Sequence, residues 1–313
     1  MSWISTFTRR HPIPAYAATA YTFSWVAWGL QYRQPDPMGS VGTLLFLLGG
    51  LGPLVAGIVV ARLVGSFDEF RDRLFRWRVS PVWYVVSIGG PLVVLVTFVA
   101  IDSALSDGQL RLTGLQPLTT LPGAILIGLV LGGFEEPGWR GFAQVRLQKR
   151  HSALAASGIV AVMWVVWHLP LFVLPGTSQS EFPFVPFAVM GLTLTIIFTW
   201  LFNSSGGSVP VLVLAHGAYN GALGWSGLLE TGNQSLAVLI IGLGLSSLVP
   251  VFVSGTSALS TDPESRADST APQPQHDEAY PLSHRTGRWR ERHRRTDVSM
   301  SAGQWCVSPA YRW

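Results

Sequence analysis

The chain has 313 residues, of which 49% are hydrophobic and only 12% charged, with a net charge of +4 and a mean hydropathy of +0.37. A soluble domain carries about 25% charged residues, so this composition excludes an ordinary water-soluble globule and places the chain in a membrane. The single cysteine, Cys306, excludes an intrachain disulfide and a thiolate metal cluster.

Apolar runs of about 20 residues can cross the hydrocarbon core, and they are expected as helices over 13–31, 41–63, 82–101, 118–136, 153–174, 184–202 and 234–253. A shorter run over 209–224 brings the count to eight, so the expected fold is all-α, a polytopic membrane bundle of about eight transmembrane helices. Residues 1–117 hold the first three helices, 118–253 a core with the last helix, and 254–313 a polar tail. Arg9 and Arg10 precede an apolar stretch much as in a signal peptide, but the stretch continues through Tyr21, Phe23, Trp25 and Trp28, which favours an uncleaved first helix.

Basic residues collect in alternate loops. Arg71, Arg73, Arg76 and Arg78 lie between helices two and three, and Arg146, Lys149 and Arg150 between four and five. The intervening loops hold Arg33 with Asp36, then Asp102, Asp107 and Arg111, then Glu181 and Glu230. Lys and Arg concentrate in cytoplasmic loops, so both termini are expected in the cytoplasm, of a bacterial plasma membrane. The neutral NSSGGS loop between helices six and seven gives no indication. From Ser254 the chain turns polar and Pro-rich, then basic in RTGRWRERHRR. Such composition buries too little apolar surface to fold, and its arginines suit anionic membrane lipid. Trp289 among arginines resembles a nucleic-acid segment, but eleven residues on a membrane protein do not make one, and no nucleic-acid partner is expected.

Charge is so scarce that the apolar interior can be searched completely. Within the eight runs the only carboxylates are Glu135 and Glu136, with Arg140 the one deeply embedded cation nearby and His168 and His216 the only histidines. A buried ionisable group is costly unless paired or facing a water-filled cavity. Glu136 lies 14 residues back from Arg150, and His168 lies 15 beyond Ala153, about 21 and 22 Å at 1.5 Å per residue. His216 and Asn220 enter on a third helix, about 10 and 16 Å beyond Val209 by the same rise. Three helices therefore bring these groups to one region of the membrane.

Glu136 and Arg140 are i and i+4, on one helix face and able to pair; His216 and Asn220 have the same spacing. Glu135, turned about 100° from Glu136, remains available for another task. Pro137 lacks an N–H, so a kink or helix restart is expected there. Alone, the Glu136–Arg140 pair would read as architecture, each histidine or Asn220 as interhelical glue, and Trp164 as packing. Together the polar groups point to a site.

These residues form EExxxR (Glu135, Glu136, Arg140), an aromatic-xxx-His (Trp164, His168) and HxxxN (His216, Asn220). In that order they resemble the CPBP family, the CAAX-protease and bacteriocin-processing (Abi) intramembrane peptidases, over residues 118–224. The resemblance implies an endopeptidase acting on a peptide or membrane-protein substrate. Glu135 with His168 would activate water, Glu136 and Arg140 would support the site, and His216 with Asn220 would stabilise the oxyanion. Family members have been described as metalloproteases, and a zinc ion would take Glu135, His168 and His216; the water-only reading is preferred. The alternative is a non-catalytic membrane scaffold or bacteriocin self-immunity protein. A proton-coupled transporter would show polar sites in both halves, and this chain has one. Nothing shows a prenyl groove, and helix depth alone favours a peptide arriving from the cytoplasmic side.

Overall fold

The computed structural model describes residues 3–105, 116–226 and 233–260; most of the polar tail lies outside them. Their α-helices are α1 (Trp3–Arg10), α2 (Pro12–Tyr32), α3 (Ser40–Gly50), α4 (Gly52–Val64), α5 (Phe67–Leu74), α6 (Pro81–Leu105), α7 (Leu121–Leu131), the three-residue α8 (Glu136–Gly138) and α9 (Val145–Leu147), α10 (Ala153–Trp167), α11 (Ser178–Glu181), α12 (Phe184–Ser204), α13 (Val209–Ser226) and α14 (Asn233–Ser254). No strand occurs among the described residues. The protein is thus a helical membrane bundle, and the eight expected runs are helical over most of their length.

The number of crossings is less than the number of helices suggests. The Pro81–Ile101 part of α6, the Leu118–Leu147 stretch and α12 are each long and apolar enough to span, and α3 with α4, bent by 41°, makes a fourth. Helix α13 has 18 residues but carries His216 and Asn220, which lower its apolarity. Helix α10 stops at Trp167 rather than continuing to 174, because Pro170 sits in the 3-10 turn Leu169–Phe172 that follows. Conversely, the fourth run extends past 136 to Leu147, since Trp139, Arg140, Phe142 and Gln144 are buried inside the protein, away from lipid.

Hydrogen bonds define the two ends of the bundle. At one end, Arg146 Nη2 donates to Ser66 Oγ at 2.6 Å, Arg76 donates from Nη1 to the Gly206 carbonyl, and Ser208 Oγ donates to the Arg76 carbonyl at 2.8 Å. These bonds assign the neutral 203–208 loop to the arginine-rich end. The segment after α14 joins it there, with Asn203 Nδ2 donating to Ala258 O at 2.6 Å and Ala153 N to Ser257 O at 2.8 Å. At the opposite end, Trp225 Nε1 donates to Pro117 O and Gln116 N to Trp225 O, each at 3.1 Å.

Helices α7 and α13 meet along glycines. A Cβ on Gly128 would strike the Gly217 carbonyl oxygen and lie 2.8 Å from Gly221 N, and one on Gly221 would lie 2.6 Å from Ile125 Cα. Gly217 and Gly221, spaced i, i+4 on α13, face Gly128 of α7, and this lets the backbones touch. This seam holds His216 and Asn220 against the chain that carries the glutamates. On the other flank, a Cβ on Gly138 would collide with the Pro53 carbonyl of α4.

Candidate active site

The glutamates sit where helix geometry changes. Helix α7 ends at Leu131, Gly132 leaves the helix with φ −139°, and Gly133–Glu135 form one 3-10 turn. Helix α8 restarts at Glu136 with Pro137 in its first turn, where the missing N–H costs no helical bond. A π-helical stretch, Trp139–Gln144, follows before α9. The restart expected from Pro137 is present, and π segments are frequent at functional sites.

Glu136, fully buried, is the electrostatic centre. Its Oε1 accepts from Arg140 Nη1 at 3.1 Å and from His216 Nδ1 at 2.7 Å. The i, i+4 ion pair read from the sequence is formed, and the guanidinium also lies 5.2 Å from the Phe198 ring centroid. The bond to His216 was not legible, because it depends on how α13 is rotated. With Nδ1–H donated to the carboxylate, His216 turns its other nitrogen toward Gly132: a Cβ there would lie 2.6 Å from His216 Nε2 and would strike Asn220 Nδ2.

Glu135, 4% exposed, takes the other task. Its Oε2 accepts from Trp164 Nε1 at 2.7 Å. Trp164 therefore does more than pack, which the sequence reading missed; the signal was the indole N–H, which needs a partner when buried. His168, one turn later, has Nδ1 2.8 Å from the Trp164 carbonyl, so Nδ1 carries the hydrogen and Nε2 is left with a free lone pair. Trp164, Trp167 and Phe187 surround the imidazole with ring centroids at 4.0, 4.6 and 5.2 Å.

Glu135, Trp164, His168, His216 and Asn220 line one cavity of about 280 Å³. Glu136 and Arg140 do not line it. The six expected site residues thus divide into four that face a shared space and two that hold one of those four in place. Among the described residues no three His, Cys, Asp or Glu side chains are grouped to hold a metal ion. Glu135 Oε2, His168 Nδ1 and His216 Nδ1 are all engaged in the bonds above. Those bonds leave Glu135 Oε1, His168 Nε2 and His216 Nε2 for a further partner, and no step below is routed through a metal.

The helical bundle thus encloses one cavity on which Glu135, His168, His216 and Asn220 converge. Residues 117–222 match the family model described as type II CAAX prenyl endopeptidase Rce1-like. A CAAX prenyl protease 2 from Methanococcus maripaludis is 25% identical over 219 residues, covering 64% of this chain and 80% of the relative. The matched region contains all six site residues and all three motifs.

Proposed function

We propose that this integral membrane protein is an intramembrane endopeptidase in which Glu135 is the general base. The observation that carries the reading is the convergence of Glu135, His168, His216 and Asn220 on one cavity from three separate stretches of chain. A water held between the free Glu135 oxygen and His168 Nε2 adds to the scissile carbonyl carbon as Glu135 takes its proton. The carbonyl π electrons move to oxygen, and Asn220 Nδ2 and a doubly protonated His216 donate to that oxyanion. Glu136 compensates the imidazolium charge and fixes the ring. Collapse of the intermediate breaks the C–N bond, and the leaving amine receives the proton from Glu135.

Purified protein incubated with a panel of membrane peptides, read by mass spectrometry, should release two fragments at one bond. Activity should survive dialysis against a strong chelator. Activity lost to the chelator and restored by zinc would replace this mechanism with a metal-dependent one. No cleavage by folded protein would leave the scaffold or immunity reading standing.

Trp164→Phe retains the aromatic stack and removes the hydrogen bond to Glu135. A hydrogen bond to a charged group contributes roughly 1.5 to 3 kcal/mol, so kcat should fall about tenfold or more, with KM little changed. Equal loss of melting temperature and specific activity would reduce Trp164 to packing.

A further inference from the structure

We infer that Ser24, on α2 and outside the residues 117–222 matched by the family model, is a positioning residue for His168 and acts through Trp167. Its effect on hydrolysis rests on the peptidase reading; its effect on the His168 ring does not.

The relay starts where α3 gives way to α4. Pro53 has no N–H to return to the carbonyl of Gly49, four residues before it, as an unbroken helix would. Ser24 supplies a donor there, its Oγ–H reaching Gly49 O at 2.7 Å. The same oxygen accepts from Trp167 Nε1, also at 2.7 Å. Ser24 is wholly buried, and a hydroxyl has one hydrogen to give. With that hydrogen on Gly49, the oxygen faces Trp167 as an acceptor. The helix break is shaped around this contact, since a Cβ on Gly52 would strike Ser24 Oγ and one on Gly49 would strike the Trp28 indole.

Trp167, the last residue of α10, passes the constraint to the histidine. Its ring is 1% exposed and stands edge-on to the His168 imidazole, with centroids 4.6 Å apart and planes at 86°. Trp164 flanks the imidazole as well, at 4.0 Å, and donates its own N–H to Glu135. His168 therefore lies between two indoles, each pinned at its nitrogen, one by Glu135 and the other by Ser24. The backbone beneath is held from α2 too: Trp25 Nε1 donates to Trp167 O at 2.9 Å and the Tyr21 hydroxyl to Met163 O at 2.8 Å. Contact between rings tolerates sliding, whereas a hydrogen bond weakens steeply when its angle is lost. The bond from His168 Nδ1 to the Trp164 carbonyl fixes one ring nitrogen, and the flanking indoles set the tilt about it, hence where Nε2 points in the cavity.

Ser24→Ala removes the acceptor for Trp167 and the donor to Gly49. A misplacement of about 1 Å can cost about 10²-fold in rate, so kcat should fall about tenfold or more, with KM within about threefold. Diethyl pyrocarbonate, which modifies neutral imidazole nitrogens, reads the ring itself when each histidine is followed by peptide mass mapping. His168 should react about fivefold faster in the variant, the equivalent of one typical hydrogen bond in the freedom of the ring. His216, held by Glu136, should react at its original rate. An unchanged or slower rate at His168, or an equal rise at both histidines, would overturn the inference. Adding Trp167→Phe to Ser24→Ala should lower kcat no further than the more impaired single variant, and additive losses would send the effect of Ser24 by another route and sink the relay. If Ser24→Ala does not insert, Ser24→Cys, a weaker donor and acceptor, should move His168 reactivity in the same direction by a smaller factor; no movement would refute the relay. No cleavage by the unmodified protein, with His168 responding as expected, would remove the peptidase reading and leave the role of Ser24 intact.

Discussion

Glu135→Gln should insert and melt like the unmodified protein and hydrolyse peptide at less than about one hundredth of its rate, the low end of what a general base contributes. The fold should tolerate the change for a specific reason. Trp164 Nε1 donates to Glu135 Oε2 at 2.7 Å, and the amide oxygen of glutamine can still accept that bond. What the variant lacks is the negative oxygen that removes the proton from water. Glu136→Gln is the informative partner, since Glu136 accepts from both Arg140 and His216. It would leave a buried guanidinium without its counter-charge, a change that typically costs about 3 to 5 kcal/mol. Glu136→Gln should therefore lower melting temperature and activity together, while Glu135→Gln lowers activity alone. Glu135→Gln retaining more than about a tenth of the rate, measured on protein of unchanged melting temperature, would transfer the general base to another group.

Gly132→Ala should have the second largest effect, also with little loss of stability. Gly132 has φ −139°, outside the left-handed region that favours glycine, so alanine meets no left-handed strain there. The new methyl would instead meet the ends of two side chains, His216, with Nε2 at 2.6 Å and Cδ2 at 2.8 Å, and Asn220. Side-chain ends can swing away, so overpacking should cost about 1 kcal/mol, the low end for such insertions. The two groups displaced are the proposed oxyanion donors, and losing one such donor typically lowers kcat about 10² to 10³. KM should stay within about threefold, because the lost contact is made in the transition state. Asn220→Ala gives the control. It should lower kcat by a similar factor, and the double variant should be no worse than the more impaired single one. Additive losses would show that the methyl acts elsewhere.

Much of this site could be read from one sequence because the membrane penalises charge. Glu135, Glu136, Arg140, His168 and His216 stood out against apolar runs, and helical spacing alone paired Glu136 with Arg140 as observed at 3.1 Å. The rest depends on helix rotation and close approach, which spacing does not encode. Nothing in HxxxN says that His216 turns Nδ1 to Glu136 while Glu135 is held by Trp164. The glycines that bring α7 to α13 lay in apolar runs where glycine is common, and only their mutual contact shows their purpose. Span lengths were misjudged where helix chemistry changed: at Pro170, which ends α10 early, and at the buried stretch after Glu136, which prolongs the fourth run.

The glycine seam has a mechanical consequence. Where Gly128 meets Gly217 and Gly221, backbone touches backbone, and a contact without side chains has no alternative rotamers to adopt. The α7–α13 pair therefore acts as a rigid jaw. The facing wall is built from Phe182, Phe187, Met190 and Leu194, side chains with several low-energy shapes, methionine most of all. Room for an incoming chain must come from that compliant wall. On the proposed function, a guest that widened the cavity would do so at α12 and the short α11, leaving His216 and Asn220 held on the glycine seam.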